Sequence, residues 1–174
     1  MFLFFYITKS DGKERMMSFQ IIQGDITKMD TDAIVNAANS RLQRGGGVCG
    51  AIFAASGAEE ELQRECNEKA PCPVGEAIIT KGYGLKAKNI IHAVGPIWEG
   101  GQKKEAEHLR SAYIRSLELA EENGCTSIAF PLISSGIYGY PREEAIAIAR
   151  KAIEDFLVGR EMEIRLVLDR RAHV

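Results

Sequence analysis

The sequence predicts a layered α/β domain with a mostly parallel central sheet. Short runs of isoleucine, valine, leucine and alanine, typical of buried strands, recur along the chain. Longer segments with apolar residues at helical spacing lie between several of these runs. Strands that alternate with helices in this way favour a sheet covered by helices on both faces.

The first predicted element is a β-hairpin. Two apolar runs rich in aromatic and β-branched residues, at 2–8 and 16–23, flank a turn at 10–12. A second interpretation rests on the two methionines that open the second run. It makes residues 1–15 an upstream extension that adds an optional edge strand to a domain spanning 16–174. Both interpretations stay open.

The remaining strands and helices are predicted from residue composition and hydrophobic periodicity. Buried strands are predicted at residues 33–37, 76–80, 89–94, 127–131 and 163–168. Helices are predicted at residues 48–56, 59–67, 103–123 and 141–157. The third helix stops at Asn123-Gly124, and the fourth starts with Pro141 in its first turn, followed by two glutamates near its positive end.

Composition limits the classes of protein and partner. The chain has 174 residues, 45% hydrophobic and 26% charged, which fits one compact domain and, in our interpretation, a monomer. The formal net charge is −2, and no dense block of lysine or arginine occurs, so long nucleic acid is not an expected partner. An anionic ligand would therefore depend on backbone donors.

The cysteines and the chain start indicate the compartment. The four cysteines lack the spacing of a structural metal site, so no metal is expected, and free thiols fit a reducing cytoplasm. The apolar start is too short to span a bilayer and lacks the basic residues and cleavage site of a signal peptide. We therefore expect a cytoplasmic protein without membrane contact.

The strongest chemical signal is Gly45-Gly46-Gly47, which stands between the strand at 33–37 and a helix starting at Val48. Glycines allow close approach of a ligand, and the unpaired N–H groups of a first helical turn attract anions. The segment predicts a phosphate site. A merely mobile loop is the alternative interpretation.

A second loop repeats this arrangement. Residues 134–140, Ser-Ser-Gly-Ile-Tyr-Gly-Tyr, follow the strand at 127–131 and precede the helix at Pro141. Two such loops meet at the carboxyl edge of a parallel sheet, where open α/β folds bind ligands. The serines do not form a hydrolase elbow, because no glycine stands two positions before the nucleophile position.

A nicotinamide-dependent oxidoreductase is the rival enzyme class, since Gly45, Gly47 and Gly50 formally match G-x-G-x-x-G. In that fold the glycines directly follow the first strand, whereas segment 37–44 intervenes here. The expected acidic residue at the end of a second strand is also missing, because the nearby glutamates lie in a helical stretch. The spacing therefore argues against this class.

Two further polar residues need an interpretation. Asp25 follows the strand ending at Gln23 and is expected to cap a turn, or alternatively to accept a hydrogen bond from a purine amino group. His92 lies in an apolar run, which favours a buried, hydrogen-bonded histidine over a catalytic one.

Five segments together resemble the macrodomain family, in particular bacterial ADP-ribose-binding and O-acetyl-ADP-ribose deacetylase-like members. The segments are Gly-Asp-Ile-Thr at 24–27, Ile-Val-Asn-Ala-Ala-Asn at 34–39, Gly-Gly-Gly-Val at 45–48, Ile-Ile-His-Ala-Val-Gly-Pro at 90–96 and Phe-Pro-Leu-Ile-Ser-Ser-Gly-Ile-Tyr-Gly-Tyr-Pro at 130–141. They occur in the family's order across about 19–168. The resemblance implies a three-layer α/β/α sandwich, a mixed and mostly parallel sheet, and ADP-ribose or ADP-ribosylated protein as the partner, with no cofactor.

The resemblance also implies which residues contact the ligand. Asp25 resembles the acceptor for the adenine amino group, which reverses the capping interpretation, and Asn39 resembles the contact to the distal ribose, with Asn36 orienting the loop from within. The implied ligand-binding residues are Asp25, Ile26, Asn39, Gly45, Gly46, Gly47, Val48, Ser134, Ser135, Gly136, Ile137 and Tyr138. The family often stacks adenine on a residue past the last strand, where Asp169-Arg170-Arg171 offers only a guanidinium.

The chain departs from the family's hydrolases after Val48. Many of them carry aspartate at the place of Cys49, histidine at the place of Phe53 and glycine at the place of Arg44. The separation of four residues places Cys49 and Phe53 on one helix face, beside the expected distal ribose. Asn39 and Cys49 are the candidate catalytic residues. A reader of ADP-ribose and a hydrolase of ADP-ribose esters both remain open.

Overall fold

The computed structural model describes residues 2–10 and 13–169, with side chains from Phe19 onward. The described strands are β1 (Phe2–Ser10), β2 (Lys13–Gln23), β3 (Ala33–Ala38), β4 (Ala77–Lys81), β5 (Asn89–Val94), β6 (Ser127–Pro131) and β7 (Glu163–Leu168). The described helices are α1 (Gly47–Ser56), α2 (Glu59–Lys69), α3 (Glu105–Glu122) and α4 (Arg142–Leu157), with a short 3-10 helix at Ile26–Lys28.

The seven described strands join one sheet in the order β1-β2-β7-β6-β3-β5-β4. The pairs β1–β2 and β4–β5 are antiparallel, and the other four pairs are parallel. The predicted mixed, mostly parallel sheet is confirmed. The N-terminal antiparallel pair is present too, although its predicted turn at 11–12 lies outside the described residues and the division at residue 16 stays a prediction.

Neighbouring residues of the central strands alternate between two cores. Val35 packs on the face covered by α3 and α4, whereas Ile34 packs on the face covered by α1 and α2. This alternation is the two-residue period of a strand buried on both faces. The predicted three-layer α/β/α sandwich is therefore confirmed.

Two predicted helix starts are wrong by one or two residues. Lys104 has a left-handed φ of 58°, so α3 cannot begin at 103. The Glu105 carboxylate instead turns back to accept the backbone N–H of Glu99, Gly101 and Lys103. Pro141 is the N-cap of α4 and precedes the first turn.

Two other features are absent from the described residues. No helix of this part of the chain combines the length and the apolar composition needed to cross a membrane. Within the same residues, no group of three or more His, Cys, Asp or Glu side chains is placed to hold a metal ion.

Candidate functional site

Three loops meet at one edge of the sheet. Strands β2, β3, β6 and β7 run in the same direction, so the segments that follow β2, β3 and β6 emerge at a common carboxyl edge. These segments hold Asp25, the three glycines before α1 and the serine-glycine loop before α4. The topology thus places all predicted ligand-binding residues at the edge where α/β folds bind ligands.

A cavity of about 330 Å³ opens at this edge. Its lining combines the turn after β2, the first turn of α1 and the ends of β6 and β7, through Gly24, Asp25, Ile26, Val48, Pro131, Val167 and Asp169. Three of the predicted ligand-binding residues thereby line one cavity. Arg170 and Arg171, the predicted stacking guanidiniums, lie outside the described residues.

Asp25 is the N-cap of the 3-10 helix. Its Oδ1 accepts hydrogen bonds from the backbone N–H of Thr27 at 2.9 Å and from the Thr27 hydroxyl at 2.6 Å. The capping interpretation is therefore correct. The same carboxylate also lines the cavity, so capping does not exclude a ligand contact.

The glycine loop presents unpaired donors. Among the described residues, none accepts a hydrogen bond from the N–H groups of Gly46, Gly47 and Val48. A Cβ built on Gly46 or Gly47 meets no atom within 4 Å, so space above the loop is open. Unpaired N–H groups at the start of α1, together with the positive end of the helix dipole, attract an anion.

The second loop is arranged similarly. Backbone bonds from Gly139 N–H to Gly136 O at 3.0 Å and from Tyr140 N–H to Ser134 O at 2.9 Å close it into a turn. In the described part of the chain, no acceptor is found for the N–H groups of Gly136, Ile137 and Tyr138. Ile137 is 92% exposed. The loop can therefore donate to an anion on its open side.

The two asparagines after β3 have different surroundings. Asn39 is half-buried and pairs with the backbone of Gln43, because its Nδ2 donates to Gln43 O at 2.8 Å and its Oδ1 accepts from Gln43 N–H at 3.1 Å. One amide hydrogen of Asn39 is left for a ligand. Asn36 is buried, and its Nδ2 lies 3.5 Å from Cys49 Sγ and 3.0 Å from His92 Nδ1.

Cys49 and Phe53 are both buried residues of α1, and their place beside the ligand stays a prediction. Cys49 is only 6% exposed, and its sulfur accepts the Gly45 N–H at 3.4 Å and lies 3.8 Å from Gln43 O. Phe53 is 1% exposed and packs edge-on against the His92 ring. The residues just before the helix cover the Cys49 thiol, which sequence spacing does not reveal.

His92 is the centre of a buried polar network, as predicted. Its Nε2 lies 2.9 Å from Thr80 Oγ1 and 3.8 Å from Cys66 Sγ. Burial lowers the pKa of His92 to about 3, and burial also raises the pKa of the Cys66 thiol to about 12. Both groups are therefore uncharged at neutral pH. No described histidine contacts Cys49. The Asn36 side chain lies between Cys49 and His92 and contacts both.

Sequence reasoning missed the support of the glycine loop. Glu59, Gln63 and Asn67 lie four residues apart on α2 and contact the segment before the glycines. They also line a second, shallower cavity of about 430 Å³ together with Arg44, Phe53, Glu60 and Arg64. The polar i, i+4, i+8 spacing was the available signal, but the same pattern is typical of any solvated helix face.

The fold and these loops define a class: an α/β/α sandwich whose carboxyl edge presents two loops with unpaired backbone N–H groups and a carboxylate that caps a short helix. The sequence profile of the Macro domain family matches residues 35–149. The chain therefore belongs to the Macro domain family.

Several relatives support this assignment. A macro domain-containing protein of Mesorhizobium japonicum is 59% identical over 130 residues, covering 75% of this chain and 73% of that protein. An O-acetyl-ADP-ribose deacetylase of Escherichia fergusonii is 50% identical over 139 residues, covering 79% and 78% respectively.

Solved structures of other macrodomains support the same family assignment. The Oceanobacillus iheyensis macrodomain with ADP has a TM-score of 0.83 at 39% identity, over 99% of this chain and 92% of that chain. The Trypanosoma brucei macrodomain in complex with ADP-ribose has a TM-score of 0.79 at 39% identity, over 87% of this chain and 63% of that one.

Proposed function

We propose that this chain binds ADP-ribose, free or attached to protein, in the cleft at the carboxyl edge of its sheet. The observation that carries the proposal is the pair of loops with unpaired N–H groups, at 46–48 and 136–138, at the same edge of the sheet as the cavity that Asp25 and Val48 line. Backbone donors neutralise an anion without a basic side chain, which suits a chain of net charge −2. Relatives solved with ADP and with ADP-ribose support the choice of ligand.

In this proposal each loop takes one part of the ligand. Asp25 accepts the adenine amino group, with the Ile26 backbone beside it. The diphosphate lies between the two glycine-containing loops, Gly45 to Val48 and Ser134 to Tyr138. Asn39 uses its remaining amide hydrogen on the distal ribose. Neither a metal nor a cofactor takes part.

A second candidate function is slow hydrolysis of an ADP-ribose ester. The similarity to O-acetyl-ADP-ribose deacetylases favours it. The covered position of Cys49 argues against this thiol as the base, and Phe53 supplies no proton transfer. Water oriented by Asn39 and by the ligand's own diphosphate is the remaining route. A reader with little or no turnover therefore fits the geometry better.

The setting of this function follows from composition. We place the protein in the cytoplasm, as a monomer whose partners are ADP-ribose and ADP-ribosylated proteins. Long nucleic acid and membranes are not partners in this proposal, because the chain has no basic block.

An amide-resolved NMR titration with ADP-ribose tests the site. The proposal expects saturable shifts at the N–H groups of 46–48 and 136–138, together with the turn at 25–27. Product release from ADP-ribosylated protein and from O-acetyl-ADP-ribose, measured on the same sample, separates the reader from the hydrolase. Shifts confined to another surface would contradict the placement of the ligand.

A further inference from the structure

The glycine loop has almost no packing of its own. Gly46 and Gly47 have no neighbouring atom near the position of a Cβ, so their place is fixed by what holds the two ends of the loop. On the helix side, Gly50 N–H donates to Gly46 O at 3.3 Å and Gly45 N–H reaches the Cys49 sulfur at 3.4 Å. The first bond is long, and the acceptor of the second is a thiol, which accepts only weakly. The firm attachment must therefore come from the segment before Gly45.

That attachment is the side-chain amide of Gln63 on α2. Its Oε1 accepts the Arg44 N–H at 2.9 Å, and its Nε2 donates to Leu42 O at 2.9 Å. The C=O of one residue and the N–H of the residue two positions on are what a neighbouring strand would pair with. One primary amide thus replaces a missing strand partner beside the loop.

Other contacts fix the Gln63 amide itself. Its second N–H donates to Asn67 Oδ1 at 2.9 Å, and the same oxygen accepts from Gln43 Nε2 at 2.8 Å. Arg44 adds an ion pair to Glu59 at 3.1 Å, although both side chains are about half exposed and the pair contributes little. The amide is therefore held in one orientation from both sides.

The anchored segment also holds an unfavourable backbone conformation. Leu42 has a left-handed φ of 56° and is 2% exposed, inserted into the core beneath α1 and α2. A branched residue in this region persists only where its surroundings over-determine it. The Gln63 amide bonds the carbonyl of this same residue and so supplies part of that constraint.

We infer that Gln63 is a positioning residue of the ligand site: it holds the glycine loop in the form that binds the diphosphate. The inference rests on the proposed function and deepens it, because it assigns part of the affinity to a helix that supplies none of the proposed ligand contacts. A loop ordered before binding loses less conformational entropy on binding, which raises affinity. The effect concerns the diphosphate and leaves the adenine end unchanged.

The test replaces the amide by an apolar chain of similar length, Gln63→Met, with Gln63→Ala as a second variant that adds no bulk. Gln102→Met is the matched control, since it makes the same exchange at an exposed residue outside the network. Affinity for ADP-ribose and for adenosine, which has no phosphate, is measured by NMR titration. We expect both Gln63 variants to bind ADP-ribose about tenfold more weakly and to bind adenosine as the native chain does.

The amide signals of 44–47 in the ligand-free protein provide a second readout, and they should shift or broaden in the Gln63 variants alone. Equal loss of ADP-ribose and adenosine affinity would assign Gln63 a general folding role and overturn the inference. Native ADP-ribose affinity in both variants would overturn it as well. If the native chain itself binds no ADP-ribose, the proposed function fails first, and the positioning role fails with it.

Discussion

At the scale of single residues, Asp25 combines a structural role with a proposed binding role. Asp25→Ala removes the cap of the 3-10 helix and the carboxylate that lines the cavity. We expect ADP-ribose binding to weaken by about 1–3 kcal/mol, the cost of losing a hydrogen bond to a charged group. Calorimetry measures the change in affinity, and thermal unfolding measures the effect on the fold.

Asp25→Ser separates the two roles, because serine caps helices about as well as aspartate. The serine variant should keep the native thermal midpoint and still bind ADP-ribose weakly. If it binds as tightly as the native chain, Asp25 is a cap and nothing more.

His92 makes the stability of the fold depend on pH. Its pKa is about 3 in the folded state because burial disfavours the charged form, whereas an unfolded histidine titrates near its ordinary value of about 6.5. Between these values the unfolded chain binds more protons, so the free energy of unfolding falls as the pH decreases. The slope contributed by this residue approaches about 1.4 kcal/mol per pH unit.

Urea unfolding at pH 7, 6 and 5 checks this prediction with His92→Gln as the comparison. Carboxyl groups with lowered pKa values, Asp32 with its Thr126 N–H donor among them, contribute mainly below this range. The native chain should lose stability across the series faster than the variant. Parallel curves for the two proteins would mean that His92 does not remain neutral in the fold.

At the scale of the elements, the glycine loop allows a matched pair of substitutions. Gly46 has φ −85°, which any residue adopts, and open space where a Cβ would stand. Gly46→Val should therefore fold normally and yet block the phosphate, which reduces ADP-ribose affinity sharply. Gly47 has φ +56°, so Gly47→Val should also lose about 1–2 kcal/mol of stability.

Thermal unfolding measures the stability of both variants, and calorimetry measures their affinity for ADP-ribose. An unchanged affinity in Gly46→Val, with an unchanged thermal midpoint, would remove the loop from the site.

Helix α1 carries the prediction about catalysis. Turnover of O-acetyl-ADP-ribose or of an ADP-ribosylated protein should be slow and should survive Cys49→Ala, because the thiol is covered by the segment from Gln43 to Gly45. The double change Cys49→Asp and Phe53→His restores the pair that the resemblance implies for the hydrolases, and it should raise the rate of ester hydrolysis. Phe53 is buried, so the double variant is also expected to be less stable.

Rates per folded molecule, from product release, measure the outcome. Rapid turnover by the native chain that disappears in Cys49→Ala would give Cys49 a direct catalytic role and refute this account of α1.

At the scale of the whole molecule, the features that the sequence predicted are those that depend on residues close together in the chain. The order of strand, loop and helix around Gly46 and around Gly136 depends only on nearby residues. Hydrophobic periodicity and the turn-forming residues were therefore enough to locate both loops. Alternating strands and helices predicted a sheet covered on both faces, whereas the mixed strand directions and the proposed ligand came from the resemblance.

Contacts between distant segments could not be predicted. The bonds from Gln63 to Leu42 and Arg44 join α2 to a loop about twenty positions earlier, and no local pattern marks them. The inward direction of Cys49 likewise depends on how the residues before α1 fold back over it. The spacing of four residues placed Cys49 and Phe53 on one helix face, but it could not show what covers the thiol.

Calorimetric titration of the native chain with ADP-ribose, with Gly46→Val titrated in parallel, tests the central claim most directly. The account predicts saturable binding to the native chain with a Kd at the micromolar level, about −8 kcal/mol, and sharply weaker binding to a variant that unfolds at the same temperature. No heat of binding to the native chain, or equal affinities for the two proteins, would contradict it.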